Sequence, residues 1–258
     1  MKESAKYKHS SYTPAKQMVW RKSITSHMAI CKAIWEKYPK WKLSYRIFDL
    51  FAGPGIDPDG QMGSWRIALD IYDNDPIDRF RLELYECDPV QLDCLKRSIP
   101  DQHKRKIGVK PYDHRYLDVI YPDRLLSKSV YGIQYHDPSN ADLSISTMKR
   151  LHTCYPHVDI MVNLAFATMK RIDKAPHANL DYSIDEIMEV KKRWFIREPM
   201  GKHQWSMLMG TDWDTPEAFA SWEYVGWAHT ASALGIEWLD RCRLTVKERI
   251  HNGQPSLF

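Results

Sequence analysis

RIFDLFAGPG, residues 46–55, is the stretch that decides the architecture of this chain. Ile47, Phe48, Leu50 and Phe51 make a short apolar run that leads straight into Gly53-Pro54-Gly55. A run of that length, bounded by turn residues, reads as a buried strand. The two glycines allow a tight turn and a close approach of backbone to a ligand. Asp49 sits inside the apolar run, where an unpartnered carboxylate is costly to bury. A helix beyond the turn offers free N–H groups and the positive end of its dipole. Strand, glycine turn and helix together predict the opening unit of a mostly parallel α/β sheet with a small-molecule site at the strand's end.

The next acidic strand end extends that reading. RLELYECDP, residues 81–89, alternates apolar and polar residues and closes on Glu86, Cys87 and Asp88. In a doubly wound sheet, the carboxylate ending the second strand meets the ribose hydroxyls of a nucleoside cofactor. A nicotinamide-type fingerprint needs a third glycine and an acid about 20 residues on. Here Pro58 stands at the third position, and the acidic end comes 31 residues after Gly55. A strand ending D-x-F-A-G-x-G, followed by one ending E-x-D-P, resembles instead the S-adenosylmethionine (SAM) site of Rossmann-like methyltransferases. The resemblance implies SAM as cofactor, held by Asp49, Phe51, Ala52, Gly53, Pro54 and Gly55 and, at the ribose, by Glu86, Cys87 and Asp88. An adenine contact would come from Asp113 or Asp118 near the end of the third strand, and spacing does not choose between them.

Residues 136–143, HDPSNADL, follow an apolar strand-like run and resemble the fourth-strand Asp-Pro motif of DNA amino-methyltransferases. SYTPAK at 11–16, the FAGPG turn, GSW at 63–65, the Asp-Pro strand and NLAFATMKR at 163–171 occur in one order. That order resembles the three-Cys-motif partner family, a group of SAM-methyltransferase-like proteins carried by phages and mobile elements. The resemblance covers roughly residues 11–171. It implies methyl transfer to nucleic acid, DNA first and RNA second. The resemblance implies that Asp137, Pro138, Ser139 and Asn140 stand at the reacting centre. The alternative is a non-catalytic, methyltransferase-like scaffold that serves a three-Cys-motif protein as its partner. Asp137 and Pro138 match the motif. Ser139 replaces the usual second proline and Asn140 the usual aromatic, so stacking on an extruded base falls to another ring, Tyr135 or a C-terminal tryptophan. Cytosine-5 chemistry is excluded by the lack of any Pro-Cys dipeptide. A nucleophile elbow and a P-loop are missing too.

Composition sets the outer bounds. A chain of 258 residues with 43 % hydrophobic and 27 % charged residues is an ordinary globular sequence. No apolar run reaches the roughly 18 residues of a membrane span, and no secretory signal is visible, so the expectation is a cytoplasmic protein with no membrane partner. The five scattered cysteines and the lack of C-x-x-C or H-E-x-x-H argue against disulfides and a structural metal. The net charge of +4 is unevenly spread: residues 1–42 carry a formal +8 and the remainder −4. Aromatics interleave with those cations, a pattern suited to phosphate contact and base stacking. Lys6, Lys8, Lys16, Arg21 and Lys22 are the candidate nucleic-acid contacts. Trp20, Ile24, Met28, Cys31, Ile34, Trp35 and Tyr38 recur at helical spacing and predict a core-facing helix over 16–38.

Three segments follow: a basic arm and helix over 1–42, a Rossmann-like SAM-binding core over 43–171, and closing strands with a helical recognition element over 172–258. The spacing predicts strands at 44–51, 81–87, 107–112, 130–136 and 158–164, and helices at 64–73, 89–97 and 141–154. Beyond 171, it predicts a helix over 184–195, a strand or lid over 200–209, a helix over 216–234 and a closing strand within 236–248. The last residues, Gln254-Pro255-Ser256-Leu257-Phe258, resemble the Q-x-x-L-F peptide by which bacterial proteins dock on the DNA polymerase sliding clamp. Gln254, Leu257 and Phe258 are the anchors this implies.

Overall fold

The structure is a computed structural model and describes residues 13–56, 60–113, 127–138, 143–166, 182–200, 205–214, 222–223 and 225–244. Five parallel strands form its centre: β1 (Ser44–Asp49), β2 (Phe80–Tyr85), β3 (Ile107–Lys110), β4 (Val130–His136) and β5 (Val158–Ala165). Three more complete the sheet: β6 (Arg193–Ile196), β7 (Trp205–Thr211) and the two-residue β8 (Ala228–His229). The order is β3-β2-β1-β4-β5-β7-β6-β8, with β7 antiparallel to both neighbours. The helices are α1 (Thr13–Lys37), α2 (Ser64–Asn74), α3 (Pro89–Ser98), α4 (Ile145–Cys154), α5 (Ile184–Met188) and α6 (Ala233–Arg243). This is a Rossmann-like, doubly wound α/β sheet with helices on both faces.

The burial pattern explains the parallel core. Every residue of β4 is buried, and so are seven of the eight in β5. Strands covered on both faces read as continuous apolar runs. In β1 the side chains alternate: Tyr45 and Ile47 join the core under α1 and α2, while Phe48 joins a second cluster with Leu151 of α4. In β5, Met161 faces the first core, while Ile160, Val162 and Leu164 face Ile187 of α5 and Leu239 of α6.

Helix α1 is bound tightly to that sheet. Val19, Trp20, Ile24, Met28 and Cys31 are buried at helical spacing. Deeper in, His27 is fully buried; its Nδ1 lies 2.9 Å from the Tyr45 hydroxyl of β1 and its Nε2 lies 3.2 Å from Asp159 Oδ2 of β5. Trp213 stacks on the His27 ring at 5.1 Å between centroids. A helix, two strands and the turn after β7 are thereby joined at one polar point inside the core.

The C-terminal third departs from expectation. The predicted helix over 184–195 stops at Met188, because the Ser183–Glu186 capping box nucleates only one turn before Trp194, Phe195 and Ile196 enter the sheet as β6. No single helix runs over 216–234: a turn at Val225-Gly226 leads into β8, and Ser232 caps a new helix by accepting from Gly235 N–H. The expected strand within 236–248 is instead α6 up to Arg243, with Gly235, Leu239 and Cys242 buried on one face. Among the described residues no helix is long and apolar enough to cross a membrane.

Candidate functional site

The chain leaves β1 toward β2 and β3 on one side, whereas β4 and β5 lie on the other. The crevice outside the carboxyl ends of β1 and β4 is therefore the topological switch point, where doubly wound sheets bind ligands. Asp49, the 50–56 turn and Asp137 all lie there.

Asp49 ends β1 and is fully buried. Its Oδ1 accepts from Phe51 N–H at 3.3 Å and its Oδ2 accepts from the Ser64 hydroxyl at the start of α2. Burial pushes its pKa up to about 7, partly offset by those two hydrogen bonds and reinforced by the Asp137 and Glu86 charges. The following turn is spliced between the neighbouring strands: Leu50 N–H donates to Tyr135 O and Ala52 N–H to Tyr85 O, both at 3.1 Å.

The two glycines of the turn have different work. Gly53 has φ +56°, and a Cβ there would meet nothing within 4 Å, so the turn faces open space. Gly55 has φ +86°, and a Cβ there would lie 2.2 Å from the Trp65 ring. Gly53 leaves room for a ligand against the backbone; Gly55 leaves room for a core indole.

Glu86, just beyond β2, ties the second strand to this turn. Its Oε2 accepts from Gly53 N–H at 3.0 Å and its Oε1 from Asp88 N–H at 2.8 Å. Burial raises its pKa. Cys87 N–H is a third backbone donor to this carboxylate, which leaves one lone pair for a hydroxyl donor. Asp88 is the N-cap of α3, accepting from Val90 and Gln91 N–H at 2.9 and 3.0 Å, and Cys87 is exposed. Asp113 is half-buried beyond the end of β3. Asp118, Ser139 and Asn140 lie outside the described residues.

Asp137 follows β4 and is heavily engaged. Its Oδ1 accepts from Lys16 Nζ at 3.0 Å and from Asn163 Nδ2 of β5 at 2.5 Å. Its Oδ2 accepts from Lys16 Nζ at 3.2 Å and the Tyr135 hydroxyl at 3.3 Å. Pro138 beside it is buried. The Asn163 Oδ1 atom is buried without a hydrogen-bond partner among the described residues.

The first turns of α1 roof the crevice. Gln17 donates to Met62 O at 2.7 Å and Trp20 Nε1 to Ser64 O at 2.9 Å. The Trp20 ring stacks on Tyr135 at 4.1 Å. Beneath them is a cavity of about 170 Å³, lined by the 51–56 turn, Met62–Ser64, Ile67, Tyr135 and Asp137. Glu86 is outside that lining and reaches it through the Gly53 N–H. Spacing does not reveal this roof. Lys16, expected to meet phosphate, holds Asp137, and Arg21 pairs with Asp70 at 2.6 Å; Lys22 is exposed. Tyr135, a candidate to stack on a base, is buried against Trp20. Lys6, Lys8, Gln254, Leu257 and Phe258 lie outside the described residues.

The chemistry of the donor set fits a cationic nucleoside cofactor. Three acidic side chains, Asp49, Glu86 and Asp137, gather at the crevice; Lys16 pairs with Asp137, and burial favours the protonated form of Asp49. Gly53 leaves an open cradle between them.

No protein-family model and no curated protein matches the chain. Among solved structures, it is similar to protein LPL1258 of Legionella pneumophila at 12 % identity over 79 % of this chain and 91 % of that one, with a TM-score of 0.47. A candidate spermidine synthase from Corynebacterium glutamicum is 16 % identical over 80 % and 70 %, with a TM-score of 0.47. The mitomycin 7-O-methyltransferase MmcR is 11 % identical over 76 % and 53 %, with a TM-score of 0.42. These likenesses concern the fold and say nothing of a substrate.

Proposed function

We propose that this protein is a SAM-dependent methyltransferase acting on nucleic acid, with DNA as the first-choice acceptor. The observation that carries the reading is the convergence of Asp49, the open cradle at Gly53, Glu86 and Asp137 on one switch-point crevice. SAM would supply an activated methyl group on a sulfonium. Gly53 would let the cofactor lie against the backbone, with the Asp137 carboxylate nearby. Glu86 would offer its remaining lone pair to a ribose hydroxyl. Methyl transfer needs alignment and exclusion of water more than covalent help, and the Trp20 roof would shield one side of the cavity. Asp137, oriented by Asn163 and Tyr135, would accept the hydrogens of an acceptor amine once that amine displaces the Lys16 ammonium.

The Lys16–Asp137 pair also favours a second reading. An acid already holding three donors can be a structural anchor, and the chain would then be a methyltransferase-like scaffold for a three-Cys-motif protein. Labelled methyl from SAM separates the two. Incorporation into DNA that is lost in Asp137→Ala supports the enzyme. SAM binding by calorimetry with no transfer to DNA, RNA or the partner supports the scaffold. No SAM binding at all rejects the cofactor.

A further inference from the structure

At the opposite pole of the sheet, where Pro39–Leu43 lead into β1 and Pro76–Arg79 lead into β2, lies a groove of about 700 Å³. Leu43 and Ile77 are buried and form its floor with Trp35; exposed Lys40, Lys42 and Arg79 stand at its rim. Trp41 is 52 % exposed and Tyr38 38 %, and their rings stack at 4.3 Å and 9°. Lys37 Nζ lies over the Tyr38 ring at 5.6 Å. Large exposed aromatics cost solubility and mark contact surfaces. Glu36 and Asp78 also line the groove, and Asp75 holds Lys32. Lys37, Lys40, Lys42 and Arg79 have no carboxylate partner among the described residues, and the rim is therefore net cationic.

Arg79 adds an independent signal. Its φ is +51°, and it is the one non-glycine residue with positive φ among those described. A bulky side chain in the left-handed region is strained, and such strain concentrates at functional positions. The turn before β2 would be relaxed by glycine, yet it carries an arginine that lines the same groove as Trp41.

We propose that this groove binds single-stranded DNA, with a base on the Trp41–Tyr38 platform and phosphates against Lys40, Lys42 and Arg79. Flat aromatic rings accept unpaired bases of any identity, and surrounding cations track the backbone. Duplex DNA keeps its bases stacked on each other and would use only the cations. The choice of DNA as occupant rests on the proposed function; the stacking chemistry does not depend on methyl transfer. The groove is about 20 Å from the crevice by the length of a six-residue strand, and it would hold a strand beside the reacting centre rather than in it.

The test is fluorescence anisotropy of an end-labelled oligothymidylate titrated with the full chain. Trp41→Ala is expected to weaken binding about tenfold. Arg79→Gly, which takes the left-handed turn without steric cost, should keep the melting temperature while lowering the log–log salt slope by about 0.7. A blunt duplex of equal length should be indifferent to Trp41→Ala. Unchanged oligothymidylate affinity in folded Trp41→Ala overturns the proposal, as does equal sensitivity of the duplex. Displacement by polyglutamate at matched charge would assign the groove to an acidic protein instead, and tighter binding of the oligouridylate would assign it to RNA; both overturn it. Trp41-dependent DNA binding by a wild-type chain that fails to bind SAM calorimetrically upholds the groove and overturns only the methyltransferase reading.

Discussion

The two ends of the segment over 16–42, α1 and the turn that follows it, use the same residue types in opposite ways. At the carboxyl pole of the sheet, Trp20 is buried against Tyr135 and Lys16 is spent on Asp137. At the amino pole, Trp41 is half-exposed, and Lys40 and Lys42 meet no carboxylate among the described residues. One pole has its charges partnered and its rings packed, as a pocket for a small polar ligand requires. The other displays unpaired charge and bare ring, as an extended polyanion requires. Composition cannot tell these apart, since both lie in the same basic, aromatic segment; burial and pairing can.

The sharpest way to break this contrast is to truncate the two tryptophans. Trp20→Ala should cost about 3–5 kcal/mol of stability, since it opens a core cavity. Trp41→Ala should stay within about 0.5 kcal/mol, as for an exposed site. Chemical denaturation of both variants decides; similar losses would mean that Trp41 is structural. Asp137→Ala should lower any methyl transfer by at least about 100-fold, the scale of a lost proton acceptor, while calorimetric SAM affinity stays near wild type. A parallel fall in both would make Asp137 part of the cofactor site. Glu86→Ala should weaken SAM binding about tenfold, in line with one charged hydrogen bond, with Trp41→Ala as the neutral control from the other pole.

A separate test of the carboxyl pole is pH dependence. Asp49 has a folded-state pKa raised from 3.8 to about 7. In the window between those values, the folded state holds a proton that the unfolded state has lost, so this group's contribution to stability declines as pH rises from about 4 to 7. The decline is at most about 1.4 kcal/mol per pH unit. Asp49→Asn should flatten that slope in melts taken across the window. An identical slope in the variant would show that Asp49 stays ionised in the fold.

The parallel half of the fold was legible because its signals are local. The β4 run needs only its own apolar residues to be placed at 130–136, as observed. Asp49, Gly53, Glu86 and Asp137 were legible as strand-end residues for the same reason. The roof was not. Lys16 meets a carboxylate 121 residues away, and no periodicity in α1 announces it. The C-terminal third misled because its aromatic and charged residues fit helical spacing, while burial on both sides made Trp194-Phe195-Ile196 a strand. The different tasks of Gly53 and Gly55 depend on Trp65, ten residues beyond the turn and invisible to a motif.

The buried junction of His27 with Tyr45 and Asp159 sets how traffic reaches the crevice. Lifting α1 would break that junction and expose Trp20 together. If the combined cost is about 4 kcal/mol, only about one molecule in a thousand stands open at any moment. A helix held so firmly is a fixed ceiling rather than a door. A small molecule would then reach the crevice from the open space at Gly53 rather than by displacing the helix.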